Sequence, residues 1–399
     1  MDEFGAHGRE RARRRQRARR RRARTAAGLA FAVALGAVLA AALTLTGSGR
    51  GAGTRPAARS ASGSAGGATP PAGTAPAPAT DPRRVRIAAV GDTMLGSTPT
   101  LPPSPATYLD AVRAALRGDV VFGNLEGTLT TSSAGKCSPG AADCFAFRAP
   151  PEFAQDLRAA GFTILSNANN HSYDFGQAGQ DDTVRALHSA GIAQTGLPGE
   201  ITVLHGAGLR IAFLGFAPYP NTASLLDLPA ARALIRSAAR RADIVVVAIH
   251  AGAEGTNAQH VTGAEEAYVG EDRGNARAFA HMAVDAGADL VLGSGPHVLR
   301  GMEIYQGRLI AYSLGNFAGY HNFGLTGALA DSAVLRVSLS ADGRFRHGRV
   351  VSVLLVDAGR PVPDQAGGGV RLVAELSRAD FGPNAVRFGR RGTILAPRL

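Results

Sequence analysis

The run Ile244-Val245-Val246-Val247-Ala248-Ile249 constrains this chain most. Six apolar residues without alternation do not suit a strand with one wet face. They predict a strand covered on both sides. The run ends directly in His250-Ala251-Gly252-Ala253-Glu254, a polar cluster. The same arrangement recurs along the chain. Residues 85–90 lead to Gly91-Asp92-Thr93-Met94, and 119–122 to Gly123-Asn124-Leu125-Glu126. Residues 162–165 lead to a stretch holding Asn167, Asn169, Asn170, His171 and Asp174, and 290–292 to Gly293-Ser294-Gly295-Pro296-His297. Helical patterns lie between these runs, near 106–116, 151–160, 177–190, 229–241 and 275–286. After Gly301 the pattern changes to short strands at 302–305, 308–312, 333–339 and 349–356, expected to be antiparallel and part of a second sheet. A last helix is expected near 370–377.

Strands alternating with helices predict an α/β fold with covered, largely parallel sheets. In such sheets ligands bind at the carboxyl ends of the strands. One edge would therefore collect Asp92, Asn124, Glu126, Asn170, His171, Asp174, His250, Glu254 and His297. Carboxylates, amides and imidazoles in that mixture suit one or two divalent ions. Oxygen and nitrogen donors without a free thiol favour Mn, Zn or Fe. Two such ions can hold a phosphoryl oxygen and acidify a water. Taken singly, each residue has an ordinary explanation. Asp92 serves as a cap, Asn167 and Asn169 as turn formers, and His250 as a hydrogen-bonded core histidine. His188, His205, His260, His281, His321 and His347 read as structural or exposed. The convergence of several strand ends carries the reading.

The charge is unevenly placed. Residues 1–25 hold eleven Arg against three acids, and 26–86 hold six Arg against Asp81. Of a whole-chain net charge of +12, residues 87–399 are left with about −1. The high isoelectric point therefore describes the amino-terminal part, and nucleic-acid binding by the folded part is set aside. Residues 26–47 carry no charge, and about twenty apolar residues span a bilayer core. They read as a transmembrane anchor with a basic cytoplasmic tail (1–25) and the main domain outside the cell; the alternative is a cleaved signal peptide. Residues 48–84 read as a disordered Gly/Ala/Pro/Ser linker. A folded domain is expected over 85–357, with a carboxyl-terminal extension over 358–399. Cys137 and Cys144, on either side of a Ser-Pro-Gly turn, read as a disulfide rather than two ligands of a metal site.

Several motifs taken in order carry a resemblance. They are Gly91-Asp92-Thr93-Met94, Gly123-Asn124-Leu125-Glu126, Asn169-Asn170-His171-Ser172-Tyr173-Asp174-Phe175-Gly176, His250-Ala251-Gly252-Ala253-Glu254, Pro296-His297-Val298 and Tyr312-Ser313-Leu314-Gly315-Asn316-Phe317. The set resembles the CapA family of capsule or poly-gamma-glutamate synthesis proteins, related to calcineurin-like metallophosphatases, over about residues 85–330. The resemblance implies a four-layer α/β/β/α sandwich with a dinuclear metal centre. It implies Asp92, Glu126, Asn170, His250 and His297 as ligands, and His171 as general acid or phosphate contact with Asp174 orienting its ring. Asn316 would close the site from the second sheet. The implied function is metal-dependent hydrolysis in capsule or cell-envelope polymer synthesis. The alternative is a non-catalytic assembly or anchoring subunit of a polymer synthase complex. Three positions depart from the family pattern: Gly295 where His is common, Ala251 where an aromatic residue is common, and Met94 where ordinary metallophosphatases place a His. One metal ion or two remain open on this reading.

Overall fold

A computed structural model of the chain describes residues 83–138 and 144–395. The basic tail, the anchor and nearly all of the linker expected from the sequence lie outside the described residues. Among the described residues no helix is long and apolar enough to cross a membrane.

The first sheet is built on β1 (Arg84–Met94), β2 (Val120–Leu125), β3 (Ile164–Ser166) and β4 (Ala193–Thr195), which pair in parallel in that order. The second holds β5 (Thr202–Gly206), β6 (Leu209–Phe216), β7 (Ile244–His250) and β8 (Leu290–Ser294), continued by the hairpin β9 (Met302–Tyr305) and β10 (Arg308–Ala311). Here β6, β7, β8 and β10 are parallel. Back on the first sheet, β11 (Asn316–Gly319) runs parallel to β1. The antiparallel strands β12 (Asp331–Ser340), β13 (Phe345–Val356) and β14 (Arg360–Pro363) complete it, with β15 (Thr393–Ile394) beside β13. Two expectations are corrected. Only 302–305 and 308–311 join the second sheet, and β10 is parallel to β8 although antiparallel to β9. Residues 333–339 and 349–356 belong to the first sheet. Both corrections concern which strands pair, a long-range property that local periodicity does not report.

Side-chain alternation divides each strand between two cores. Val85, Ile87 and Ala89 face Ile211, Phe213, Val246 and Ala248 in a cluster shared by both sheets. Ala88, Val90 and Val121 face outward onto α1 (Phe153–Ala160) and Leu187 of α2 (Gly176–Ser189). Ala212, Val245 and Val247 face outward onto α3 (Leu228–Ala239) and α4 (Ala276–Asp285). Helices therefore cover both outer faces. Burial of each Val or Ile stabilises the fold by roughly 1.5–3 kcal/mol, which is why these strands carry no polar face. The last helix, α5 (Gly368–Phe381), sends Val373 into the shared core, and Ser377 Oγ accepts from Met302 N. The helix expected near 106–116 is instead two separate turns, Pro105–Thr107 and Asp110–Val112. Tyr108, Leu109, Val112 and Leu116 are still buried, so the apolar spacing was satisfied without a continuous helix. The α1 boundary is as the sequence signals it, with Gly161 at φ 116° capping the carboxyl end.

One glycine sets the meeting of β1 with β11. A Cβ on Gly91 would collide with the backbone oxygen of Gly315, whose carbonyl accepts from Asp92 N at 2.9 Å. That close approach places Asp92 opposite Asn316. Gly91→Ala is expected to lower stability by roughly 2–4 kcal/mol, because only backbone movement relieves the overlap. A denaturant midpoint equal to that of the unsubstituted chain would contradict the close approach.

Candidate metal centre

The carboxyl ends of β1, β2, β7 and β8 meet at one place. Register across β1 and β2 puts Asp92 beside Asn124, and register across β7 and β8 puts His250 beside Ser294. Asp92, Glu126 and His250 are wholly buried, and their donor atoms lie within 4.8 Å of one another. Asp92 Oδ1 accepts from Asn124 Nδ2 at 2.8 Å. Both Glu126 carboxylate oxygens and His250 Nε2 are buried without a hydrogen-bond partner. Unpaired buried groups of this kind are costly unless something satisfies them. Their chemistry is that of a hard, divalent cation site. His250 Nδ1 lies 3.3 Å from Ser294 Oγ. With the ring proton on Nδ1 and donated to that hydroxyl, Nε2 is left as a free lone pair.

His297 joins from the other side. Its Nδ1–H donates to Asn316 Oδ1 at 2.8 Å and stands 3.3 Å from Asp92 Oδ2. Its Nε2 is 3.6 Å from Glu126 Oε1 and 3.7 Å from Glu254 Oε2. Asn316 sits on β11, so it closes the site from the first sheet; the expected second-sheet origin is corrected. Glu254 is held by Arg273 at 2.8 Å, and Arg273 is itself buried and donates to Tyr219 Oη at 2.7 Å. Asn170 is half-buried, with its Oδ1 enclosed and unpartnered. Asn169, read from sequence as a turn former, is fully buried. Its Nδ2 donates to Asn124 Oδ1 at 3.1 Å, and its Oδ1 accepts from His171 N at 3.0 Å. It therefore links the β2 cluster to the His171 loop. Asn167 is buried beside it with its amide unpartnered.

The departure at position 295 has a local cause. Gly295 has φ 107°, and a Cβ there would lie 3.1–3.2 Å from the His250 ring. A bulky residue would be strained and would press on His250. Its backbone N–H instead points at Asp92 Oδ2, at 3.4 Å.

His171 Nδ1–H donates to Asp174 Oδ2 at 2.8 Å, leaving Nε2 as its free ring nitrogen. The His171 ring lines a cavity of about 290 Å³ together with Glu126, Glu254, His297, Phe145 and Tyr268. Two partners of this pair were not legible in the sequence: Lys136 Nζ, 2.6 Å from Asp174 Oδ1, and Phe147 N, which donates to Asp174 Oδ2 at 2.7 Å. The disulfide between Cys137 and Cys144 is formed, as the sequence suggests.

Burial and charge set the protonation of the centre. Burial pushes Glu126 well above its ordinary value, and the Asp92 charge adds to this. Burial also raises Asp92, but the hydrogen bond and charge of His297, with the Asn124 amide, outweigh it and leave Asp92 low. Burial holds His250 well below its ordinary value, so it is neutral. Burial acts against a charge on His297 too, yet the Glu126, Asp92 and Glu254 carboxylates push it up to about 10. Without a metal, His297 is therefore a cation at neutral pH. A cation entering this cluster must displace that proton and any on Glu126. Metal affinity is expected to rise with pH from 6 to 8, with protons released on uptake. Titration calorimetry in two buffers of different ionisation enthalpy measures the release; a heat independent of buffer would contradict it.

Residues 86–320 match the family described as bacterial capsule synthesis protein PGA_cap. The PGA biosynthesis protein CapA of Bacillus subtilis (strain 168) is 33% identical over 207 residues, covering 48% of this chain and 50% of that protein. The capsule biosynthesis protein CapA of Bacillus anthracis is 32% identical over 216 residues, covering 49% and 48%. The chain thus spans about half the length of these curated relatives. Among solved structures, a 5'-nucleotidase precursor from Thermus thermophilus aligns with a TM-score of 0.38 at 13% identity, over 74% of this chain and 59% of that one. With the family match running through every strand end that builds the centre, this chain belongs to the bacterial capsule synthesis protein family PGA_cap.

Proposed function

We propose that this protein is a metal-dependent phosphoesterase-like hydrolase acting in capsule or cell-envelope polymer synthesis. Its α/β/β/α layering fits a metallophosphatase type of fold. The observation that carries the reading is the buried, unpartnered set of Glu126 Oε1, Glu126 Oε2 and His250 Nε2 beside Asp92. Asp92, Glu126 and His250 would hold one ion, with Glu126, His297 and Asn170 available to a second. An ion held by these residues would supply polarisation of a phosphoryl oxygen and a more acidic water. The chain's own part is proton transfer and alignment. His171 gives the proton on Nε2 to the leaving oxygen, while Asp174 holds Nδ1–H and stabilises the ring as it moves.

The test uses the full chain in detergent. Metal content is measured first, then hydrolysis of bis(p-nitrophenyl) phosphate. Bound divalent metal with metal-dependent turnover supports the reading; a native chain that takes up no metal and has no turnover sinks it. A second reading, a non-catalytic assembly subunit of a polymer synthase complex, is favoured by one observation, Gly295 in place of an imidazole. It predicts bound metal without turnover. We also propose that residues 26–47 anchor the chain with its main domain outside the cell. A mature chain that fractionates as soluble and starts near Gly47 would rule this out.

A further inference from the structure

Asp174 is wholly buried, and groups from several segments converge on it. Oδ2 accepts from His171 Nδ1 and Phe147 N, Oδ1 faces Lys136 Nζ at 2.6 Å, and its backbone oxygen accepts from Lys136 N at 2.7 Å. Lys136 Nζ also donates to the backbone oxygen of Asn170, at 3.2 Å. The groups gripping Asp174 therefore come from two arms of one loop. The Phe147 arm is anchored independently. Its carbonyl accepts from Thr128 N, and Thr128–Leu129 pairs with Arg148–Ala149 in a short ladder. Phe147 also packs its ring 4.5 Å from that of His171. The Lys136 arm lies well beyond that ladder, with the Lys136 side chain 39% exposed. Its backbone N–H on Asp174 holds it locally, and its neighbour Cys137, bonded to Cys144 on the anchored arm, ties it back covalently.

We infer that Lys136 and the Cys137–Cys144 disulfide are positioning elements for the His171–Asp174 pair. The disulfide keeps the Lys136 ammonium on Asp174, and the ammonium keeps the carboxylate aimed at His171 Nδ1. An exposed lysine on a free arm would lose side-chain entropy to hold that place and would exchange it for water. A covalent tie to a ladder-anchored arm restricts the backbone that carries the lysine, so only the side-chain part of the cost is left. The inference concerns His171 geometry, and its catalytic meaning rests on the hydrolase reading above.

The test follows the His171 Nδ1–H resonance, protected from exchange by Asp174, in the ¹⁵N-histidine-labelled full chain. The signal is expected in the oxidised chain. It should weaken or vanish after reduction and return on reoxidation, with bound metal unchanged. Turnover should fall roughly 10- to 100-fold over the same cycle, the usual scale for loss of an orienting partner. Lys136→Met, with the disulfide intact, should reproduce both changes, and Lys136→Arg should restore part of each. Should near-ultraviolet circular dichroism show that reduction unfolds the chain, the Lys136 pair decides by the same signal. A resonance indifferent to reduction and to Lys136→Met overturns the inference. An active chain with such a resonance leaves the hydrolase reading standing; an inactive chain whose resonance follows reduction does the reverse.

Discussion

His250→Ala is expected to empty the metal centre. Partners that merely orient a metal ligand are worth about 10- to 100-fold in affinity, so loss of a ligand itself should weaken binding by at least about 100-fold. The environment leaves no substitute for this imidazole. His250 ends a strand with every residue buried, and Gly295 and Ser294 close around its ring. The flanking Ala251 offers no donor atom. What remains of that set is Asp92 and Glu126, and burial with the Asp92 charge raises the proton affinity of Glu126 once the ion is gone. Stability measurements separate this from a folding defect. A ligand at about 100 times its dissociation constant adds about 2.7 kcal/mol to the native state. Added metal should therefore raise the melting temperature of the unsubstituted chain and leave that of His250→Ala in place. Because burial keeps His250 neutral, the substitution removes packing rather than charge; the metal-free melting temperature should fall, and the increment on adding metal is the reading that reports binding. A dialysed His250→Ala chain that retains its full metal content would remove His250 from the centre.

The strand ends were legible because one physical rule makes them so. A strand buried on both faces has no polar side chain along its length, and its first polar residue marks where the sheet stops. That rule found Asp92, Asn124, Glu126, His250 and His297, and the paired registers of β1 with β2 and β7 with β8 bring them together. The charged residues that brace the centre follow no such rule. Arg273 lies in the short strand Glu271–Gly274 and Lys136 in a loop, and their partners Glu254 and Asp174 are fixed by tertiary approach. Arg300 is a further case: wholly buried, it donates to both oxygens of Glu266 and to the carbonyls of Ala253 and Ala258, pinning the loop that carries Glu254. In sequence, each reads as an ordinary solvated charge. Asn169 was missed for a different reason. Its local turn-forming habit explained it fully, so nothing in the sequence called for its bridge between Asn124 and the His171 backbone. Asn316 was assigned to the wrong sheet because its strand follows β10 directly, and its pairing with Asp92, made close by Gly91, shows that the chain crosses back to β1.

His171→Asn is expected to separate chemistry from metal binding. His171 lines the cavity, but its bonded partner is Asp174 and it stands outside the Asp92, Glu126 and His250 group. Metal content should stay as in the unsubstituted chain while turnover falls. The size of the fall should depend on the leaving group. A proton donor matters little when the departing oxygen is already a weak base, as in a nitrophenolate. It matters most when an alkoxide must leave, because without the donor a full negative charge develops there. General acid catalysis is typically worth about 10²–10⁴-fold. The loss should therefore approach that range for an alkyl phosphodiester and shrink to about tenfold or less for bis(p-nitrophenyl) phosphate. If the two substrates lose turnover equally, His171 contacts the phosphoryl group throughout the reaction and the donor role is wrong. Asp174→Asn offers an independent reading of the same pair. It keeps the shape but removes the carboxylate that faces Lys136 and accepts His171 Nδ1–H, so the ring is held less firmly and the leaving-group dependence should shift toward that of His171→Asn. An Asp174→Asn chain with normal turnover on the alkyl ester would show that His171 needs no carboxylate to act.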